Sequence, residues 1–267
     1  MSDIEEIKSP DGVLRRLGSL VIPQGMVCSA PVYDDEFDVW DDADIRKVIA
    51  DPDRVPSRKI YTPDEWIDNQ QSHGSCNGFA AAGAYSRLRY FLGHRDGFHA
   101  SGAWIYSLIN GGRDQGSQLI DGMTVGQDVG YASRETVTWD MIYPRQQPLA
   151  KAKAEAAKHK GRVYYQCRTL QAFRTGLAQG WPGVAAVHVG NNYMRFRNGI
   201  AGVDRGPGNH AVCVDDLCLH NGTEVFDQPG SWGVNGGGEA GRWRLTKDHF
   251  AETFGHHQFY ILRGTKG

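Results

Sequence analysis

Residues 69–80 read Asn-Gln-Gln-Ser-His-Gly-Ser-Cys-Asn-Gly-Phe-Ala, and the reading of this stretch decides the fold. The cysteine, Cys76, follows a tight His73-Gly74-Ser75 turn. Behind it, Phe79 to Leu92 (FAAAGAYSRLRYFL) is apolar and rich in alanine, which predicts a helix small enough in cross-section to sit inside a lobe. A thiol at the head of such a helix meets free backbone N–H groups and the positive end of the helix dipole, which favour a thiolate. Gln70, six residues upstream, carries amide N–H groups of the kind that stabilise a developing oxyanion. A buried cysteine is by default a small hydrophobe, so the rest of the chain has to supply a base.

The base that the sequence offers is His210, 134 residues downstream in GPGNHAVCV, at the start of an apolar run that predicts a strand. About twenty residues further on comes Gly230-Ser231-Trp232-Gly233, followed by a glycine-rich continuation. His210, Cys213, Cys218 and His220 fall within eleven residues and are soft or borderline metal ligands. Side chains alternate along a strand, so His210 and Cys213 point to opposite faces, which argues against zinc. We expect no metal and no cofactor.

Together these three blocks resemble the papain-like cysteine peptidases of the C1 type. That family carries Asn-Gln, then Gly-Ser-Cys and Phe-Ala at the head of its central helix. An Asn/Asp-His-Ala-Val strand and an Asn-Ser-Trp-Gly block follow. Here they stand as Asn69-Gln70, Gly74-Ser75-Cys76, Phe79-Ala80, Asn209-His210-Ala211-Val212 and Gly230-Ser231-Trp232-Gly233. The family's cysteine-to-histidine spacing of about 130–150 residues is met. The resemblance covers residues 60 to 267 and implies an α+β, papain-like two-lobe fold, a helical lobe facing a β-barrel-like one across a cleft. It implies Cys76 as nucleophile, His210 as general base and acid, Gln70 in the oxyanion hole and Trp232 as the histidine's shield. Gly116-Ser117, with Gly111-Gly112 as a rival, would pair with the backbone of an extended substrate, a strand-addition mode. The implied activity is a cysteine endopeptidase acting through an acyl-enzyme.

The departures from the family are specific. Its histidine-orienting asparagine falls at Gly230, which has no side chain; Gln228 or Asp227 would have to take that role. Asn77 replaces an aromatic residue and His73 replaces a disulfide cysteine. The first 60 residues are too short, and wrongly patterned, for the long helical inhibitory propeptide of secreted members. The departures leave open a catalytically weakened scaffold in a larger assembly, viral among others, and an amidase or isopeptidase on the same fold.

Composition fits an ordinary globular chain: 267 residues, 40% hydrophobic, 22% charged, net charge −2. That balance gives no general attraction to nucleic acid or anionic lipid, and no run is long and apolar enough to span a membrane. The expected partner is a peptide or protein substrate, with the N-terminal arm as a contact for an assembly partner. Five sparse cysteines and a charged N-terminus without an apolar core predict a reducing compartment and no secretion through a signal peptide. The resemblance then implies a disulfide-free microbial or viral version of the family, cytoplasmic or virion-associated.

Residues 1–60 read as an acidic arm, with nine carboxylates between Asp34 and Asp53 and one short helix near Asp42–Ala50. Such an arm either stays solvated, or it packs along the body or regulates a cleft. Residues 61–160 read as helical, with helices near 101–109, 117–130 and 148–160. Residues 161–267 read as mainly strands, at 183–190, 210–218, 224–227, 242–245 and 258–262, after one helix at 169–179.

Overall fold

The structure, a computed structural model, describes residues 5–20, 30–54, 66–161, 163–251, 253 and 258–264. Cys28, Pro56, the pair His256-His257 and the boundary expected at residue 60 lie outside the described residues.

Two apolar cores organise the chain. The first surrounds helix α3 (Cys76–Phe91), whose residues from Cys76 to Leu88 are all buried. Ala80, Ala81, Ala82, Gly83 and Ala84 make it thin enough to be covered on every side, as expected of a helix without a polar face. Helix α4 (Gly102–Ile109) approaches it so closely that a Cβ on Gly78 would lie 2.5 Å from the Gly102 carbonyl oxygen. Helices α5 (Leu119–Asp128) and α6 (Leu149–Ala156) complete the helical lobe.

The second core lies in the β lobe. One antiparallel sheet has the order β3 (Tyr164–Gln166), β11 (Phe259–Leu262), β4 (Gly183–Val187), β7 (His210–Val214). Another has the order β10 (Arg242–Leu245), β9 (Thr223–Pro229), β8 (Asp216–His220). Helix α7 (Leu170–Ala178) closes this core, with Phe173 stacked on Phe226. The run read as one strand from His210 to Cys218 is two strands broken at Asp215, whose carboxylate turns inward to pair with two arginines.

The acidic arm packs on the β lobe. Tyr33 on the one-turn helix α1 (Tyr33–Glu36), and Ile45 and Ile49 on helix α2 (Asp42–Ile49), are buried in the second core. Around them, arm carboxylates meet body cations: Asp35 with Arg168 at 2.9 Å and Asp42 with Arg174 at 2.5 Å. The chain's first described residues form a hairpin that the sequence reading did not anticipate. Strands β1 (Glu5–Lys8) and β2 (Leu14–Leu17) pair antiparallel around Gly12, whose positive φ of 82° suits the turn.

Candidate active site

Helix α3 begins at Cys76 itself, with Ser75 as N-cap, so the thiol sits at the dipole's positive end as the local sequence predicts. Its sulfur faces the backbone N–H groups of Ala211, Gly18 and Asn77. Ala211 follows His210 at the start of β7, which brings the strand bearing the histidine to the head of the cysteine helix. The His210 ring lies 4.8 Å from the Trp232 ring, centre to centre, and Trp232 is buried above it. Cys76, His210 and Trp232 are therefore gathered where the two lobes meet.

Gln70 is fully buried, whereas the neighbouring Gln71 is half-buried with a positive φ of 55°. Its Nε2 donates to the His73 carbonyl at 2.7 Å and faces the Arg16 carbonyl at 3.4 Å. Ser231 Oγ donates to its Oε1 at 2.5 Å and fixes the amide's orientation. Ser117 is held by Asn77, whose Nδ2 donates to its carbonyl and, at 3.0 Å, to its hydroxyl. That is the use of the polar residue found where the family carries an aromatic one. Gly116-Ser117 lies against the chain segment at Gly18, whereas a Cβ on Gly112 would meet open space.

The cleft is filled by the chain's own N-terminal segment, which follows the second of the two readings of the first 60 residues, an arm against the body at a cleft, and not the solvated one. Ser117 N–H donates to the Gly18 carbonyl at 2.9 Å, and Leu20 N–H donates to the Ser117 carbonyl at 2.9 Å. From the other lobe, the Asn209 carbonyl accepts from Ser19 N–H at 3.1 Å. This strap of residues 17–20 lies so close that a Cβ on Gly18 would stand 1.8 Å from the Gly74 carbonyl oxygen. A Cβ on Gly116 would lie 2.5 Å from the Gly18 oxygen. The hairpin behind the strap is anchored by buried Arg15, which pairs with Asp11 at 2.5 Å and donates to Asn69 Oδ1, the Gln71 carbonyl and the Trp232 carbonyl.

Burial sets the charge state of the site. Cys76 is fully buried and His210 is 3% exposed. Burial pushes the Cys76 thiol up to about 11, against the lowering pull of the surrounding N–H groups, and pushes His210 down to about 3. The closed site therefore holds a thiol and a neutral imidazole. His210 is neutral when folded but titrates near 6.5 when exposed, so its contribution to stability is complete above that pH and is lost as pH falls toward 3. At about pH 4.5, relative to about pH 7.5, the wild type should lose roughly 2–3 kcal/mol more than His210→Gln. Urea midpoints at the two pH values measure this, and equal losses would mean that water reaches the imidazole.

The orienting position is altered. A Cβ at Gly230 would stand 2.7 Å from Trp243 Nε1 and 2.9 Å from the Gly241 carbonyl oxygen, so no asparagine fits there. Asp227 is committed to Arg242 at 3.1 Å, which removes it as a candidate. Gln228 is buried and its Nε2 donates to the Tyr193 hydroxyl at 2.9 Å. Its Oε1 has no partner among the described residues, and neither has His210 Nδ1. Tyr193 stands edge-on to Trp232, which covers His210. No hydrogen bond joins Gln228 to His210 in this closed state.

Asp114 stands beside the strap, and the sequence reading did not single it out. It lies in the loop before Gly116-Ser117 and pairs with Arg16 of the hairpin at 3.0 Å. Nothing in Arg-Asp-Gln-Gly marks it, because its partner is 98 residues away.

The chain has the papain-like fold. Among solved structures it is similar to xylellain, a cysteine protease from Xylella fastidiosa, at a TM-score of 0.69 with 20% identity over 98% of each chain. It is also similar to procathepsin B S9 from Trypanosoma congolense (TM-score 0.65, 16% identity, 94% of this chain and 86% of that one). A third likeness is to the stem bromelain precursor (TM-score 0.61, 20% identity, 88% of this chain and 74% of that one). No protein-family model matches the chain, and no curated protein sequence matches it.

Proposed function

We propose that this chain is a cysteine peptidase held shut by its own N-terminal strap. The observation that carries the reading is the strap itself: an extended backbone bonded to both lobes, at Ser117 and Asn209, directly over the Cys76 thiol. Those backbone groups are the ones an extended peptide substrate would use.

With the strap displaced, water reaches the pair and both burial penalties fall. Proton transfer from Cys76 to His210 then gives the thiolate and imidazolium. The sulfur attacks the substrate carbonyl carbon and an S–C bond forms. Gln70 Nε2 and the backbone N–H of Cys76 stabilise the oxyanion. His210 delivers its proton to the leaving amine as the C–N bond breaks. Water, deprotonated by His210, then attacks the thioester, and the acid leaves as the thiol is restored. Trp232 keeps the imidazole dry. Gln228 is the positioning residue we assign to His210: its Oε1 and the imidazole Nδ1 are both buried without partners, and Gly230 has no room for the usual side chain.

A strap-displaced variant with Cys76 intact should cleave an internally quenched peptide library, and Cys76→Ala in that background should lower kcat/KM by about 10³-fold or more. Cleavage that survives Cys76→Ala, or none at all with the cleft open, rejects the reading. The second outcome favours a docking scaffold, for which the missing orienter at Gly230 is the supporting observation.

A further inference from the structure

Asp114 is a carboxylate prepared for a cation. Its side chain is only 7% exposed. Oδ1 is occupied by the body of the protein, accepting from Gly74 N–H at 2.9 Å and from the Tyr106 hydroxyl at 2.9 Å. Oδ2 is presented to the cleft, where it meets Arg16 Nη1 at 3.0 Å, with His73 Nδ1 at 3.5 Å. The carboxylate borders a cavity of about 710 Å³ that is also lined by Arg16, Gly112, Arg113, Tyr143 and Arg145. Arg113 and Arg145 are exposed, and among the described residues Arg16 and His73 are the groups within ion-pair distance of Asp114.

We propose that the pocket at Asp114 selects a cationic side chain, so that the substrates of this cleft are peptides bearing arginine or lysine where the strap now places Arg16. The inference rests on the peptidase reading and names its substrate class. A largely buried carboxylate is costly to leave without a counter-charge. Displacing the strap removes Arg16, while Gly74 and Tyr106 still hold Oδ1, so the other oxygen keeps its direction. The incoming chain that best restores the pair brings its own guanidinium or ammonium to Oδ2. Arginine suits the position best, because its long stem crosses the cavity mouth and its fork reaches one fixed oxygen. Arg16 keeps 42% of its side chain exposed and shares its charge with Glu6, so the expected selectivity is moderate.

The test uses the full chain carrying Gly18→Leu, which prevents the strap from seating, together with Cys76→Ala, which prevents turnover. Two labelled peptides are titrated by fluorescence anisotropy. One is Leu-Arg-Arg-Leu-Gly-Ser-Leu, the strap sequence from Leu14 to Leu20; the other has norleucine in place of Arg16. The arginine peptide should bind about tenfold more tightly or better. Adding Asp114→Asn should bring the two affinities within about twofold of each other. Equal affinities with Asp114 present, a preference that survives Asp114→Asn, or no binding of either peptide overturns the proposal. A parallel library digestion with Cys76 intact separates the two readings. Cleavage without a basic preference rejects the substrate class and leaves the peptidase standing. Arginine-selective binding without any cleavage rejects the peptidase and leaves the pocket.

Discussion

Gly18→Ala should expose Cys76 and raise its alkylation rate by about 10² at neutral pH. One added carbon is enough, because it would stand 1.8 Å from the Gly74 carbonyl oxygen. That oxygen cannot retreat: Gly74 is fixed through its N–H to Asp114, and two residues later the chain is already helix. Gly18 does not have a positive φ, so the effect is steric and carries no separate backbone strain. Without the strap, the thiol loses the burial that holds it near 11 and moves toward the free-thiol value of about 8.5. The thiolate fraction at pH 7 then rises by roughly two orders of magnitude, and the sulfur also becomes reachable. Iodoacetamide labelling followed by mass spectrometry of all five cysteines gives the rate at Cys76 against internal controls. Gly18→Leu should match or exceed the alanine variant. Equal rates in wild type and both variants would mean that the strap already leaves the cleft in solution. In the opened variants, His210→Ala should return part of the gain, since the imidazolium is then missing.

How far the sequence spoke for itself follows from the range over which its signals act. The helix opening at Cys76 was legible because Gly74-Ser75 and the alanine run are local, and so was the strand opening at His210. Gly230 was legible as a missing orienter. Why nothing can replace it there was not, because the obstacle is the Trp243 ring from the neighbouring strand. The closed, neutral state of Cys76 and His210 was also hidden. Local sequence predicts a thiolate at a helix head, whereas the shift comes from burial in the folded site. The hairpin that delivers those residues did leave a trace. Pro10-Asp11-Gly12 is a turn signal between two short runs, but Glu5–Lys8 and Leu14–Leu17 are too charged to read as strands alone. Their order comes from Arg15, which reaches groups 54 to 217 residues away. Asp114 and the acidic arm follow the same rule, since their partners are cations distant in the chain.

Asp215→Ala should destabilise the protein by about 3–5 kcal/mol. Asp215 Oδ2 accepts from Arg87 Nε of helix α3 at 2.7 Å, and Oδ1 accepts from Arg242 Nη2 of β10 at 2.5 Å. Arg242 also meets Asp227, so among the described residues two cations and two carboxylates pair in a region where Asp215 and Asp227 are at most 1% exposed. Removing Asp215 leaves one net positive charge where water is excluded. Among the described residues Arg87 also donates to the carbonyls of Gly83 and Trp66, which carry no charge. The loss also acts at the site, because this ion group ties the cysteine helix to the lobe that carries His210. Arg87→Met alone should be costly for the opposite reason, leaving an excess of negative charge. The double variant Arg87→Met/Asp215→Ala restores the balance, so its cost should fall short of the sum of the two by about 1–3 kcal/mol. Urea unfolding of the four proteins measures the cycle. A simple sum would mean that the two residues act separately. A shortfall would show that the lobes are joined by charge as well as by apolar packing, and Cys76 alkylation in the same variants reports whether that joint positions the thiol.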